Sequence, residues 1–237
     1  MKKVKVIDSV HFYSLFTEDY DAYSKRKKVY LDSVNDLIVQ NIRPQASVID
    51  VGCGTGIRAK KIFEKINPGR TLCIDNAEGM VRQCQALGHN AFVHDIAVAP
   101  PDAEQFDIAL CLWNVLGCMP EEDTRLSALR NINKVLLPGG VLFLEVNNRY
   151  DINEHSFFPV FTNILLDLFG SSKHMSEVAL NNSGYTTEEH LFSTDSLKKI
   201  LSQTGFIPQS FWYINYRNGD VERSSWRGRI LVMAQKL

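Results

Sequence analysis

Four short stretches of this chain are apolar on both faces of an extended backbone: VIDV (48–51), LCI (72–74), DIALCL (107–112) and VLFLEV (141–146). A strand half-exposed to water alternates polar and apolar residues; a strand apolar throughout needs cover on both sides. Segments with helical spacing separate these runs. The pattern reads as strands at Ser47–Val51, Thr71–Asp75, Ala91–His94, Phe106–Leu112 and Val141–Val146, with helices at Ile57–Ile66, Ala77–Leu87 and Glu121–Leu137 between them. Strands alternating with helices of this length predict a parallel sheet wrapped on both faces. A first helix is expected over 20–41, stopped by Pro44.

The rhythm breaks after the fifth strand. Residues 147–190 are rich in Phe, His and Asn and read as an insertion with one helix, Phe158–Phe169. A further helix, Leu197–Thr204, and two late strands near Phe206–Tyr216 and Gly228–Gln235 follow, joined through Asn218-Gly219. Asn-Gly is a strong hairpin signal, so the sheet is expected to end antiparallel.

Charge and composition exclude several classes. With 26 Lys+Arg against 27 Asp+Glu the net charge is -1, unlike a polycation that holds nucleic acid by bulk charge. No apolar run reaches the length of a membrane span. Cys53, Cys73, Cys84, Cys111 and Cys118 form no zinc-type pair and no even disulfide framework, so reduced thiols, no metal and a cytoplasmic location are expected.

The chemistry concentrates where strands end. Val48-Ile49-Asp50-Val51-Gly52-Cys53-Gly54-Thr55-Gly56 runs a strand into alternate glycines and then a helix. A dinucleotide fingerprint wants its third glycine one position later, at Ile57 here, which counts against NAD or FAD. Asp75 ends the second strand, placed to accept ribose hydroxyls; His94-Asp95-Ile96 ends the third, and Leu112-Trp113-Asn114-Val115 the fourth. All fall at carboxyl ends of strands, where open α/β sheets bind ligands.

Taken together these motifs resemble the class I S-adenosylmethionine-dependent methyltransferases of small-molecule type. VIDVGCGTG is similar to the family's first motif, CIDNAEGM to its second, HDI to its adenine motif, and FDIALCLWNVLGCM, LRNINKVLLPGGVLFLEV and FSTDSLKKILSQTGF to later segments. The resemblance, over roughly 45–146 and 190–237, implies a Rossmann-like doubly wound sheet of seven strands, the last antiparallel, with a lid-like insertion after the fifth. It implies one domain over 1–237: a cap helix region (1–44), a cofactor-binding half (45–146), the insertion as substrate lid (147–190), and a C-terminal helix and hairpin (191–237).

The cofactor implied is S-adenosyl-L-methionine. By resemblance, Asp50 and the amides of Gly52, Cys53 and Gly54 hold its amino acid end. Asp75 takes the ribose, and Asn76 and Met80 line the adenine pocket. Asp95 takes the adenine amine with Ile96 against the ring, and Leu112 and Asn114 sit beside the methionine. The aromatic segment FYSLFTEDYDAY (12–23) is expected to fold over the cofactor through Tyr20, with Arg26 reaching its carboxylate. Trp113, Arg149, Tyr150 and His155 are substrate candidates, and His155 and His174 candidate bases; Phe157, Phe158 and Phe161 are candidate pocket walls. No single catalytic residue is singled out.

The reaction expected is in-line methyl transfer to an O or N atom of a small-molecule acceptor, with no membrane partner. Arg217, Arg223, Arg227 and Arg229 support an alternative, an RNA (tRNA-type) methyltransferase. An NAD-dependent oxidoreductase or a non-catalytic S-adenosylmethionine-binding module are further alternatives.

Overall fold

The computed structural model describes residues 5–168, 177–179 and 185–237. In chain order the elements are β1 (Lys5–Val6), α1 (Ser9–Arg26), α2 (Lys28–Gln40), β2 (Ser47–Val51), α3 (Ile57–Ile66), β3 (Arg70–Asp75), α4 (Glu78–Ala86) and β4 (Ala91–Val93). Then come β5 (Phe106–Cys111), α5 (Glu122–Val135), β6 (Leu136–Val146), α6 (Ile152–His155), α7 (Phe157–Leu168), β7 (Glu177–Ala179) and β8 (Tyr185–Glu189). The chain closes with α8 (Thr194–Gln203), β9 (Phe206–Ile214), β10 (Val221–Glu222) and β11 (Arg229–Lys236).

The central sheet has the order β10-β9-β11-β6-β5-β2-β3-β4. β2 pairs in parallel with both β3 and β5, and β5 with β6, whereas β11 runs antiparallel between β6 and β9. Chain order therefore reverses between β2 and β5, which opens a crevice beyond their carboxyl ends. Alternate side chains of each strand feed two cores. Ile49, Val51, Leu142 and Leu144 pack with α5 and α8. Val48, Cys73, Ile108 and Phe143 pack with α2 and α3. This two-sided burial is the physical reason for the doubly apolar strand sequences.

Three features depart from the sequence reading. The helix expected over 20–41 is two helices broken at Lys27, and the first extends back to Ser9. The segment 12–23 is thus helical throughout, with Asp8 capping it by accepting from the His11 amide at 2.9 Å. The Asn218-Gly219 turn joins β9 only to the two-residue edge strand β10; β11 returns on the other flank of β9. The insertion does not stand alone either. β8 pairs in parallel with β1, so residues from both ends of the chain's first 190 build a small second sheet of order β1-β8-β7.

Candidate active site

A cavity of about 310 Å³ lies at the carboxyl ends of the central strands. Its first part sits over β2, β3 and β4 and is lined by Gly52, Gly54, Asp75, Asn76, Asp95 and Ile96, with Met80 beneath. The glycines serve geometry. A Cβ on Gly52, at φ +73°, would lie 2.4 Å from Val115 Cγ2, and one on Gly54 would meet Tyr20 at 3.3 Å. The Gly52 and Cys53 amides both donate to Ile74 O (2.8 and 3.0 Å), and the Gly54 amide donates to Asp75 Oδ2 at 2.9 Å. Those three amides, read from the sequence as open to a ligand, are therefore engaged inside the turn; they fix Asp75 rather than present themselves.

Asp75 also accepts from the Ala77 amide at 2.9 Å. Burial pushes its carboxyl up from the usual range, and the Ala77 and Gly54 amides oppose that. Asp95 accepts from the Ala97 amide at 2.9 Å, which holds the turn after β4.

The second part of the cavity lies over β5, β6 and β11. Trp113 and Asn114 follow β5 in left-handed backbone conformation, φ +56° and +66°. For a residue as bulky as Trp this is strained, and surrounding bonds hold it there. The Trp113 amide donates to Glu145 Oε2 and the Asn114 amide to Glu145 O, both at 3.0 Å; the Asn147 amide donates to Asn114 Oδ1 at 3.0 Å. Glu145 is itself fixed by Tyr30 Oη, at 2.6 Å, and by Arg58 in a buried ion pair at 2.6 Å.

Aromatic side chains form the wall. Tyr23 stacks on Trp113 at 5.6 Å with nearly parallel rings, and Tyr20 meets Trp113 at 5.4 Å. Tyr23 and Tyr216 share a hydroxyl hydrogen bond at 2.7 Å. α1 delivers Phe12, Phe16, Tyr20 and Tyr23 to one face by three- and four-residue steps. Thr55 Oγ1, donating to Asp21 Oδ1 at 2.8 Å, ties that helix to the glycine turn. Two charged features line this part as well. Arg229 donates to both Glu154 oxygens (3.1 and 2.6 Å) and lies 3.4 Å from the Tyr216 ring centroid. Burial alone would raise the Glu154 carboxyl; the Arg229 charge outweighs it and holds it below its usual value. The other feature, Glu189 at the end of β8, accepts from Asn114 Nδ2 and Asn147 Nδ2, each at 2.9 Å.

Comparison with known proteins fits this arrangement. Residues 48–140 match a family model described as a methyltransferase domain. The carboxy-S-adenosyl-L-methionine synthase of Shewanella baltica is 30% identical over 194 residues, covering 77% of each chain. The chain belongs to the class I S-adenosylmethionine-dependent methyltransferases.

Solved structures share the fold. An S-adenosylmethionine-dependent methyltransferase of Methanosarcina mazei superposes with TM-score 0.65 at 19% identity, over 85% of this chain and 97% of that one. An amino pentose methyltransferase of Micromonospora echinaspora, with S-adenosylmethionine bound, superposes with TM-score 0.61 at 16% identity, over 92% and 96%. As a member of this family the methyltransferase uses S-adenosylmethionine. The first part of the cavity fits an adenosyl group: buried apolar walls at Met80 and Ile96, acceptors at Asp75 and Asp95, and a glycine floor that side chains would fill.

Of the residues singled out from sequence, Tyr20, Gly52, Gly54, Asp75, Asn76, Met80, Asp95, Ile96, Leu112, Trp113 and Asn114 line the cavity. Six others do not. Asp50 lies beneath it, 5% exposed, and Cys53 turns away into a buried group with Cys73 and Cys84, the three thiols within 4.8 Å of one another. Arg26 is exposed at the end of α1, its guanidinium 5.4 Å from the Tyr23 ring centroid, because the helix breaks immediately after it.

Arg149 is buried and donates to Leu191 O at 2.9 Å, and Tyr150 stacks on Trp226. His155 lies outside the cavity while its neighbour Glu154 lines it. Phe157, Phe158 and Phe161 are 74%, 77% and 45% exposed: α7 turns Val160 and Asn163 inward instead. His174 lies outside the described residues.

Sequence reading missed Tyr13, Glu154, Glu189, Tyr216 and Arg229. Arg229, grouped from sequence with Arg217, Arg223 and Arg227 in support of RNA binding, is 7% exposed. No local signal marks Glu189: along β8 Thr186, Thr187 and Glu189 are buried and Glu188 is exposed, a pattern that the run Thr-Thr-Glu-Glu does not carry.

Proposed function

We propose that this methyltransferase transfers its cofactor's methyl group to an oxygen or nitrogen of a small-molecule acceptor held over β5, β6 and β11. The observation that carries this reading is the continuity of the cavity. The part over β2–β4 suits the adenosyl group, and it opens directly into the aromatic part beyond Trp113 and Asn114. Asp75 accepts the ribose hydroxyls, Asp95 the adenine amine, and Met80 and Ile96 pack against the ring. When bound, the cofactor supplies a methyl group activated by an adjacent sulfonium. The chain's part is to orient the acceptor in line and to exclude water, which together can account for about 7–11 kcal/mol of barrier.

A small acceptor is favoured over RNA because α1 and β8 wall the aromatic part, and because Arg229 is inside and paired rather than on a basic surface. Reaction with methyl-tritiated S-adenosylmethionine, against a pooled small-metabolite fraction and against total RNA, tests this. Label in the small-molecule fraction is the expected result; label confined to RNA rejects it.

The identity to carboxy-S-adenosyl-L-methionine synthases favours a second reading, formation of a carboxylated cofactor. Among the described residues, however, the one Lys or Arg lining the cavity is Arg229, which Glu154 neutralises. Mass spectrometry of the reaction separates the two: the second reading requires a cofactor product heavier than S-adenosylmethionine.

A further inference from the structure

Resting on the methyl-transfer reading, we infer that the acceptor is a primary or secondary amine that enters as its ammonium ion and is held and deprotonated by Glu189. Three observations meet in one place. First, Glu189 is 7% exposed yet lines the cavity, and its position is built rather than incidental. Its Oε2 accepts from the side-chain amides of Asn114 and Asn147, which stand at the tips of β5 and β6. Its Oε1 accepts from Tyr13 Oη at 3.4 Å and from Cys118 Sγ at 4.0 Å. The two strand tips therefore aim a carboxylate into the half of the cavity next to that which suits the adenosyl group. Asn114, which delivers one of these bonds, is in left-handed backbone conformation at φ +66°.

Second, the surrounding wall is of the kind that attracts cations. Tyr20 and Tyr23 each contact the Trp113 ring. Aromatic faces beside a carboxylate favour an ammonium ion and repel an anion. Third, the one guanidinium lining the cavity among the described residues does not reach for an anionic acceptor. Both Glu154 oxygens occupy it, and the Tyr216 ring covers it.

The step balances without a further reactant. The ammonium gives one proton to the Glu189 carboxylate, and the freed nitrogen pair forms the new N–C bond to the methyl carbon. The C–S bond breaks with its electron pair left on sulfur as a thioether. The methylated ammonium product departs, and the Glu189 proton passes to water. A base positioned within hydrogen-bond reach of the proton it removes is what such an acceptor requires at neutral pH.

Binding tests this without knowledge of the natural acceptor. Calorimetry on the full chain saturated with S-adenosylhomocysteine compares phenethylammonium, 3-phenylpropionate and 2-phenylethanol, which share a ring and differ in charge. The expected order places phenethylammonium at least tenfold tighter than the other two. Glu189→Gln, of the same shape, is expected to remove that preference, with S-adenosylhomocysteine affinity as the check on folding. Equal or tighter binding of 3-phenylpropionate, or a preference unchanged in Glu189→Gln, overturns the amine assignment. Failure of S-adenosylhomocysteine itself to bind overturns instead the reading on which it rests.

Discussion

At the scale of single residues, the glycine turn and the carboxylates around it make separable contributions. Gly52 sits at φ +73° with Val115 against it, so Gly52→Ala is expected to cost about 1–3 kcal/mol of stability and to push Val115 into the cavity. Urea unfolding reads the first effect, and weakened S-adenosylhomocysteine binding by calorimetry the second. Asp75→Ala removes the acceptor assigned to the ribose and is expected to weaken cofactor binding by roughly 1–3 kcal/mol in a folded protein; an unchanged affinity would reject that role.

Asp50 gives a pH signature. Burial pushes its carboxyl from 3.8 up to about 7, with Arg58 only partly opposing. The folded state therefore binds more protons than the unfolded state between about pH 4 and pH 7, so this group makes stability fall as pH rises through that window. Asp50→Asn removes the titration. The stability of the variant relative to the parent should rise between pH 5 and pH 8, measured by denaturant unfolding at both. Asp50, Asp75 and Asp95 all invited a ligand role by their positions at strand ends. Position at a strand tip is legible in sequence; whether a side chain faces the crevice or lies a layer below it, as Asp50 does, depends on how the tips splay.

Among the elements, those whose residues face two apolar layers were the legible ones. Ser47–Val51 and Ile57–Ile66 have the boundaries their patterning predicts, because a buried strand and its capping glycines leave few alternatives. The C-terminal hairpin was half legible. Asn218-Gly219 does lie in the connection between two antiparallel strands, but that connection runs over 215–220, the partner strand beyond it is only two residues long, and tertiary pairing with β6 decides where β11 inserts. Within the insertion the helix expected over Phe158–Phe169 is present as α7, Phe157–Leu168; β8 was not legible, since it is completed by β1 from the other end of this stretch of chain, a pairing no local pattern encodes. α8, expected from sequence over Leu197–Thr204, has a reciprocal N-terminal cap: Ser193 Oγ accepts from the Ser196 amide at 3.1 Å while Ser196 Oγ accepts from the Ser193 amide at 2.9 Å. Ser193→Ala breaks one side of that box and is expected to cost about 1 kcal/mol, read as a shifted urea midpoint with an unchanged slope.

Across the whole molecule, the site lies between parts of unequal anchoring. The floor belongs to the central sheet, where β5, β6 and β11 are paired on both sides and enclosed by two cores. The aromatic wall belongs to α1. That helix carries Leu15 at 55% exposure and buries Phe12, Phe16 and Thr17, with side-chain bonds to the glycine turn through Asp21 and to Tyr216 through Tyr23. Segments with little buried apolar surface open at lower free energy than the core. Ligand filling the cavity adds contacts to Phe12, Phe16, Tyr20 and Tyr23 on α1, and adds little to strands already closed. Native-state hydrogen exchange is therefore expected to show α1 amides exchanging faster than those of β5 and β6 without ligand. Saturation with S-adenosylhomocysteine should slow α1 selectively. Equal protection of helix and strands in the absence of ligand would mean that the wall is as fixed as the floor, and that the cavity's width is set by the fold alone.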